Sequence, residues 1–244
     1  MRVNVEKSIV SGTLACPPSK SYTQRGIFVA SLAKGISRID NALISRDTMA
    51  AVSAVENYGA IVSIDGSTIT VEGVERLKIQ GGNVNCENSG TAIRIATAIY
   101  ASQCQNWITL TGDSSLRERP MQPLLDAIGS LGVAVQSKNG TPPFSIKGPI
   151  HGDSVRIRGN VSSQFISALA IAAPITNSGL KINIIGNMVS RPYLDATIAT
   201  MEKFSAKVKT IRKYKGYDIP RQEYKPANFS VPQDFSSMAL LLLA

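Results

Sequence analysis

Lysine, arginine and serine side chains gather at three places in the sequence, each just ahead of an almost wholly apolar segment. The three segments read PSKSYTQRGIFVASLAKG (18–35), ENSGTAIRIATAIYAS (87–102) and NVSSQFISALAIAAP (160–174). An apolar helix that begins in such a polar turn presents free backbone N–H groups and the positive end of its dipole, and such a terminus binds anions. Three of these turns predict a site for a multiply charged ligand.

Cations lie in or just after these turns and the turns that follow them, where long side chains can converge on phosphate or carboxylate groups. They are Lys20, Arg25, Arg94, Arg117, Arg119 and Arg191. The lone histidine, His151, follows Gly-Pro-Ile in a predicted loop, which disfavours a histidine-based triad and a histidine-ligated metal. The three cysteines form no CxxC pair, so we expect reduced thiols and no metal site.

The elements that position these residues repeat. Each apolar segment is followed by a second turn and helix, beginning near Ser45, Arg117 and Ser190, and then by alternating stretches that a turn interrupts. Those turns are Asp65-Gly66, Asn139-Gly140 and Lys215-Gly216, and the period is roughly 72 residues. Each unit therefore predicts a strand, a helix, a strand, a helix and a hairpin.

An α/β fold with the helices inside follows from the pattern of apolar residues. The segments GIFVASLA, AIRIATAIYA and FISALAIAA are apolar nearly all round, which favours enclosed helices, whereas the alternating strands favour outer sheets. Units of this length are short for independent domains, so we expect three βαβαββ repeats to share one core. A conventional α/β domain with ordinary buried helices remains the alternative.

The charge balance admits several partners. The formal net charge is +9, and the hydrophobic content of 43% is typical of a folded soluble protein. No apolar stretch reaches the roughly 18 to 20 residues of a membrane span, and we expect a cytoplasmic protein. The densest basic run (207–225) lies on a predicted hairpin with few stacking aromatics, so a solvated face is favoured over a nucleic-acid patch.

Six motifs carry a family resemblance. In this order and spacing, PPSKSYTQR, NALISRDT, ENSGTAIR, TGDSSLRERP, GNVSSQF and SRPY resemble those of the EPSP synthases, the 3-phosphoshikimate 1-carboxyvinyltransferases of the enolpyruvyl transferase family. The resemblance implies a two-domain protein in which each domain has three βαβαββ units, with helices inside and sheets outside in a barrel-like arrangement.

The resemblance also implies how the chain is divided. Residues 1–18 and 222–244 would belong to an incomplete first domain, and residues 19–221 would form a complete domain of three repeats. Because VPQDFSSMALLLLA begins a further apolar helix without a cap, we expect this chain to be the N-terminal part of a longer protein. We expect it to be inactive alone, although able to bind shikimate 3-phosphate weakly.

The reaction that the resemblance implies transfers the enolpyruvyl group of phosphoenolpyruvate to the 5-hydroxyl of shikimate 3-phosphate, with release of phosphate. It has no redox step, so no cofactor is implied. The expected partners are these two small molecules, with no nucleic acid and no membrane, and the full-length protein is expected to be a monomer.

The resemblance assigns a role to each matching residue. Lys20 and Asp234 would be catalytic, Lys20 in proton transfer and Asp234 in accepting the proton of the 5-hydroxyl. The shikimate 3-phosphate site would comprise Lys20, Ser21, Arg25, Ser162, Ser163, Gln164, Ser190, Tyr193 and Asp234. The phosphoenolpyruvate site would comprise Lys20, Gly90, Arg119 and Gln164, whereas Asp47 and Arg94 would shape the pocket.

Simpler roles and other families stay open at this point. Ser21, Ser162 and Ser190 could be plain helix caps, Gly90 could serve only a tight turn, and Asp47 could only cap its helix. The UDP-N-acetylglucosamine enolpyruvyl transferases share the implied fold but use a loop cysteine where this chain has RERP. A module similar to the RNA 3′-phosphate cyclases would also be basic and built from such repeats.

Overall fold

The structure is a computed structural model that describes residues 4, 12–79 and 81–242. Its α-helices are α1 (Lys20–Ser31), α2 (Arg46–Glu56), α3 (Gly90–Gln103), α4 (Gln122–Ser130), α5 (Ser163–Ala172), α6 (Arg191–Lys203) and α7 (Phe235–Leu242). Its strands are β1 (Gly35–Asp40), β2 (Ile61–Asp65), β3 (Thr68–Gly73), β4 (Gly82–Asn85), β5 (Ile108–Thr111), β6 (Ala134–Ser137), β7 (Phe144–Lys147), β8 (Ser154–Arg158), β9 (Leu180–Ile185), β10 (Lys209–Arg212), β11 (Gly216–Ile219) and β12 (Asn228–Ser230). Short 3₁₀ helices occupy Leu116–Glu118 and Ala173–Ile175.

Three four-stranded sheets share one topology. Their strand orders are β4-β5-β7-β6, β8-β9-β11-β10 and β12-β1-β3-β2. In each sheet the first pair is parallel and the next two pairs are antiparallel. The predicted order of strand, helix, strand, helix and hairpin is thus confirmed for the second and third units, and the three predicted turns lie in the three hairpins.

The first unit obtains its parallel strand from the far end of the chain. β12 pairs with β1 in the register Arg38 with Asn228 to Asp40 with Ser230. The domain boundary predicted between residues 221 and 222 therefore separates β12 from the sheet that it completes. The division into two domains stays a prediction, and the strand residues predicted near the N-terminus fall mostly outside the described residues.

The helices α1, α3 and α5 are enclosed, as their all-round apolar surfaces predict. All but two of the residues of α3, and all but one of α5, are buried, and α3 packs against both α5 and α2. Burial of a whole aliphatic side chain is worth about 1.5 to 3 kcal/mol, so these helices supply much of the core. The three-repeat α/β fold with inner helices is confirmed.

The sheets cover the helices with one face only. In β9 the residues alternate between buried and exposed along the whole strand, with Leu180, Ile182 and Ile184 pointing to the core. This alternation is the period of a half-buried strand. Where β3 ends against α1, a Cβ on Gly73 would lie 2.1 Å from the carbonyl oxygen of Ala33, so the close approach requires glycine.

The three cysteines are not paired with one another in the structure: Cys86 and Cys104 are buried and Cys16 is half-buried. Within residues 12–79 and 81–242, no group of three or more His, Cys, Asp or Glu side chains could hold a metal ion. Among the described helices, none is both long and apolar enough to cross a membrane.

Candidate active site

The first turns of α1, α2 and α3 are joined by polar side chains. Nζ of Lys20 lies 2.8 Å from Oδ2 of Asp47 at the start of α2. Gln24 Nε2 donates to the backbone oxygen of Asp47 at 2.7 Å and lies 2.6 Å from Oγ of Ser89, the residue that caps α3. One amide of α1 therefore holds the beginnings of two other helices beside it.

Arg25 joins α1 to α6. Its Nε donates to Oγ1 of Thr197 at 2.7 Å, and its Nη2 donates to the backbone oxygen of Tyr193 at 3.2 Å. Oγ1 of Thr197 in turn lies 2.8 Å from Oγ of Ser167 in α5. The second turns of α1, α5 and α6 are thus connected through Thr197.

The charge of Arg25 is buried. The side chain is 1% exposed, and in the described part of the chain no carboxylate oxygen lies within 4.0 Å of it. Burial lowers the pKa of its guanidinium to about 10, which still leaves it charged at neutral pH. A guanidinium has five N–H donors and three bonds are made here, so donors remain for an acceptor oxygen.

Two further guanidinium groups meet at the start of α3. A Cβ placed on Gly90 would lie 3.0 Å from Nη1 of Arg119 and 3.3 Å from Nη1 of Arg94. Gly90 is helical and its φ is not positive, so it serves close approach and not a tight turn. Its missing side chain leaves room for both cations at the positive end of the helix.

Arg119 is oriented without being neutralised. Its Nη2 donates to Oδ1 of Asn88 at 2.9 Å, and Asn88 Nδ2 donates to Oδ2 of Asp113 at 2.9 Å. Backbone and side-chain hydrogen bonds, first from the N–H of Leu116 and then from Asn88, lower the pKa of Asp113. The amide of Asn88 separates this carboxylate from Arg119, so the arginine keeps its charge for another partner.

Arg94 connects α3 to α5. Its Nη1 donates to Oε1 of Gln164, and its guanidinium carbon lies 5.0 Å from the ring centre of Phe165. Its Nε is buried and has no hydrogen-bond partner among the described residues. Burial, and then the charge of Arg119, lower the pKa of Arg94 to about 10.

The serines at α5 and α6 differ in what their hydroxyls do. Ser162 accepts the backbone N–H of Gln164 at 3.2 Å and caps α5, and Ser163 is buried in its first turn. Ser190 precedes α6 with φ 51° and ψ 44°, and its side chain makes no capping bond. Tyr193 is 39% exposed and lies 5.8 Å below the guanidinium of Arg25.

Asp234 lies beside the start of α1. Its backbone N–H donates to the oxygen of Pro17 at 2.8 Å, and the N–H of Ser19 donates to the oxygen of Pro232 at 2.8 Å. Oδ1 of Asp234 accepts the backbone N–H groups of Ser236 and Ser237 at 3.0 and 3.3 Å. One oxygen of this carboxylate therefore caps α7.

A model of the family described as EPSP synthase (3-phosphoshikimate 1-carboxyvinyltransferase) matches residues 5–244. The chain belongs to this family. It is 54% identical over 244 residues to the 3-phosphoshikimate 1-carboxyvinyltransferase of Nitrosopumilus maritimus and 44% identical over 255 residues to that of Methanocorpusculum labreanum. In both comparisons all of this chain is covered and 58% of the relative, so the chain spans little more than half of their length.

Solved structures agree with the EPSP synthase fold. The EPSP synthase from Acinetobacter baumannii superposes with a TM-score of 0.82 at 24% identity, over 95% of this chain and 52% of that one. The enolpyruvyl transferase NikO from Streptomyces tendae gives 0.68 at 15% identity, over 95% and 54%. At these identities the likeness concerns the fold alone.

Most of the predicted EPSP synthase site residues lie at the N-terminal ends of the helices. Two of the helix-capping roles that the sequence left open are wrong. Ser21 is inside α1 and the cap position belongs to Ser19. Asp47 does not cap α2, because Ser45 does so with Thr48. Two of the six cations that were predicted to converge on an anionic group contact other groups of the protein. Arg117 donates to the backbone oxygen of Gly112, and Arg191 lies over the ring of Tyr214.

Some residues of the network were not singled out from the sequence. They are Gln24, Asn88, Ser89, Asp113, Ser167 and Thr197. A signal existed for part of this set, because a glutamine or threonine inside an apolar helix needs a hydrogen-bond partner. The partner itself depends on how the helices pack, and no local pattern specifies it.

An open cavity of about 460 Å³ lies at the other ends of the same helices. It is lined by Leu32 at the end of α1, Gln103 at the end of α3 and Pro174 just after α5. Helix C-termini carry the negative end of the dipole, which disfavours an anion. The N-terminal ends of the helices are therefore the better candidate for the active site.

Proposed function

We propose that this chain forms part of an enzyme that transfers the enolpyruvyl group of phosphoenolpyruvate to the 5-hydroxyl of shikimate 3-phosphate. The products are 5-enolpyruvylshikimate 3-phosphate and phosphate, in the shikimate pathway to chorismate and the aromatic amino acids. Membership of the EPSP synthase family supports this reaction over transfer to UDP-N-acetylglucosamine and over an RNA 3′-phosphate cyclase.

One observation carries the proposal. Arg94 and Arg119 meet beside Gly90 at the positive end of α3, and neither has a carboxylate oxygen within 4.0 Å among the described residues. Two neighbouring guanidinium groups repel each other, and an anion bound to Arg119 relieves that repulsion. Both proposed substrates carry a phosphate and a carboxylate, which suits such a site.

The chemistry requires charge neutralisation and proton transfer. Protonation of C3 of phosphoenolpyruvate makes C2 electrophilic, the 5-hydroxyl oxygen adds to C2 as its proton leaves, and the tetrahedral intermediate then loses phosphate from C2 and a proton from C3. Fixed cations stabilise the phosphate that leaves, and positioned acids and bases move the protons. Every atom is accounted for without a cofactor.

Phosphoenolpyruvate is assigned to the ends of α1, α3 and α5. Arg119 would grip its phosphate, Gly90 would let the ligand approach the backbone, and Gln164 would donate to it. Lys20 would lie between the two substrates and transfer protons. Its ammonium is half-exposed in the ion pair with Asp47, so it is accessible to a ligand.

Shikimate 3-phosphate is assigned to α1, α5 and α6. Ser162, Ser163 and Ser190 would bind its phosphate. A capping hydroxyl such as that of Ser162 accepts one bond and still has its own proton to donate, so capping and ligand binding are compatible. Ser21, Arg25, Gln164 and Tyr193 would contact the ring and the carboxylate, and Lys20 would reach the phosphoenolpyruvate side.

Asp234 is proposed as the acceptor of the 5-hydroxyl proton. The position of its backbone beside Pro17 and Ser19 supports this assignment, because Lys20 follows directly. Since Oδ1 is used to cap α7, the proton would go to Oδ2. The protein is further proposed to be cytoplasmic and, at full length, a monomer without nucleic-acid or membrane partners.

The test is a phosphate-release assay with both substrates on the protein at the full length of its relatives. We expect turnover that requires both substrates. Arg119→Ala should mainly raise KM for phosphoenolpyruvate, by about 10- to 100-fold, since a charge-assisted contact is worth about 1.5 to 3 kcal/mol. Ser163→Ala should mainly raise KM for shikimate 3-phosphate.

The control is Arg76→Met, an exposed arginine that lines the cavity at the helix C-termini and should leave both KM values unchanged. The opposite assignment of the two KM effects would refute the division of the site. Absence of turnover together with tight RNA retention on filters would refute the reaction itself.

A further inference from the structure

Arg94 is a buried cation for which neither a substrate contact nor a catalytic step has been assigned. The residue is 9% exposed in the second turn of α3, and it reaches α5 through the bond from Nη1 to Oε1 of Gln164. Nη2 lies 3.5 Å from the backbone oxygen of Pro120, and the buried Nε atom has no hydrogen-bond partner in the part of the chain that the structure describes. Burying a guanidinium in this way lowers the free energy of unfolding, so stability does not explain why an arginine occupies this position.

The bond to Gln164 has a directional consequence. A guanidinium only donates hydrogen bonds, so the amide must present its oxygen to Arg94. The two N–H bonds of the same amide then point away from Arg94. Without such a partner the oxygen and nitrogen of a glutamine amide exchange places at little cost.

The location of Gln164 makes this direction useful. It lies in the first turn of α5, half-buried, next to the capping Ser162, and Arg94 is held against Gly90 beside Arg119. A ligand bound at these helix ends meets cations, backbone N–H groups and hydroxyls. An amide oxygen facing an oxyanion would repel it, whereas an N–H donor stabilises it.

We propose that Arg94 is a positioning residue that fixes the side-chain amide of Gln164 as a hydrogen-bond donor toward an oxyanion ligand. The inference rests on the proposed function for the identity of that ligand, a phosphorylated carboxylate. The acceptor-only oxygens of such a ligand match a donor amide. Arg94 acts through Gln164, and its guanidinium carbon also lies 5.0 Å from the ring centre of Phe165, a contact that helps to hold it in place.

A double-mutant cycle tests the coupling in the protein at the full length of its relatives. Arg94→Met and Gln164→Met should each raise KM for phosphoenolpyruvate about 10- to 100-fold, because either change removes the same oriented N–H donor to a charged acceptor. KM of the double variant should not exceed that of the more impaired single variant, since both changes remove the same interaction. Arg94→Lys, which keeps a donor, should lose less than Arg94→Met.

Gln164→Glu is the single variant that best separates the stability of the fold from ligand binding. Its carboxylate pairs with Arg94 and keeps α3 and α5 together, but it has no N–H to donate and it adds negative charge. We expect a melting temperature at or above that of the unchanged protein, together with a loss of phosphoenolpyruvate binding at least as large as in Gln164→Met. A retained melting temperature shows that the loss of binding comes from the missing donor and not from unfolding.

A measurement without substrate separates this inference from the proposed function. With ¹⁵N-labelled glutamine, the side-chain amide signal of Gln164, assigned by its loss in Gln164→Met, should shift or broaden in Arg94→Met and stay in place in Arg76→Met. An unmoved signal, or KM effects of the two single variants that simply multiply, would overturn the positioning role. If the unchanged protein fails to turn over the two substrates, the proposed function fails while the amide signal still decides the role of Arg94.

Discussion

Ser162 and Ser190 occupy the same kind of position ahead of a helix and do different things there. Ser162 caps α5 through its hydroxyl, whereas Ser190 lies in the left-handed region and leaves its hydroxyl free of a capping bond. For a residue other than glycine, that conformation costs roughly 1 to 2 kcal/mol. Strained residues cluster at functional sites, so Ser190 stays a candidate for ligand binding.

The change Ser190→Gly separates strain from binding. Glycine relieves the strain but loses more backbone entropy, so the net stabilisation is expected to reach about 1 kcal/mol. This corresponds to a rise in Tm of about 2 to 4 °C for a chain of this size. The same change removes the hydroxyl and should weaken shikimate 3-phosphate binding several-fold, which titration calorimetry measures.

Ser205→Gly is the matched control. Ser205 is exposed with φ 67°, at the position where the other two units have Gly59 and Gly132 with φ 101° and 93°. Ser205→Gly should show a similar rise in Tm without any change in the binding of shikimate 3-phosphate. If Ser190→Gly leaves binding unchanged as well, the hydroxyl of Ser190 is not a ligand contact.

At the scale of the elements, the sequence predicts what depends on local periodicity. The helices α1, α3 and α5 follow from their all-round apolar segments, and the hairpins follow from alternation around a glycine turn. β12 has no comparable signal, because three residues cannot show a period and its partner β1 lies 190 residues earlier. Likewise, the sequence does not predict the ion pair between Lys20 and Asp47, because this contact depends on the packing of α1 against α2.

Thr197 links α6 to α1 through its hydrogen bond with Arg25. Thr197→Val keeps the shape of the side chain but leaves Nε of Arg25 buried without a partner, which should cost about 1 to 3 kcal/mol of unfolding free energy, or more because the donor is charged. The control is Thr200→Val in the same helix, also buried, whose hydroxyl bonds, among the described residues, only to the oxygen of Ala196. Urea unfolding of the two variants gives the comparison, and equal losses would show that Thr197 does not hold Arg25.

At the scale of the whole molecule, three similar units turn their helix N-termini to one end and enclose the helices in sheets. The dipoles of those helices and the cations of α1, α3 and the RERP turn therefore act on one region. The opposite end carries the helix C-termini and has its own mixed set of charges, including the ion pair between Lys34 and Glu75. This polarity, more than the net charge of +9, favours the N-terminal end as the candidate site for anions.

The closure of the first sheet by β12 gives a test of where the unit ends. Phe229 of β12 is buried, with its ring 6.1 Å from that of Phe204 and 6.4 Å from that of Tyr22, and it fills the space over Gly26. Loss of a buried phenylalanine costs about 3 to 5 kcal/mol. A chain that ends at Arg221 should therefore unfold at much lower denaturant than one that ends at Val231, and Phe229→Ala in the longer chain should reproduce most of the difference. If the two shortened chains unfold together, the boundary predicted at residues 221 and 222 is correct and β12 adds nothing to the three-repeat unit.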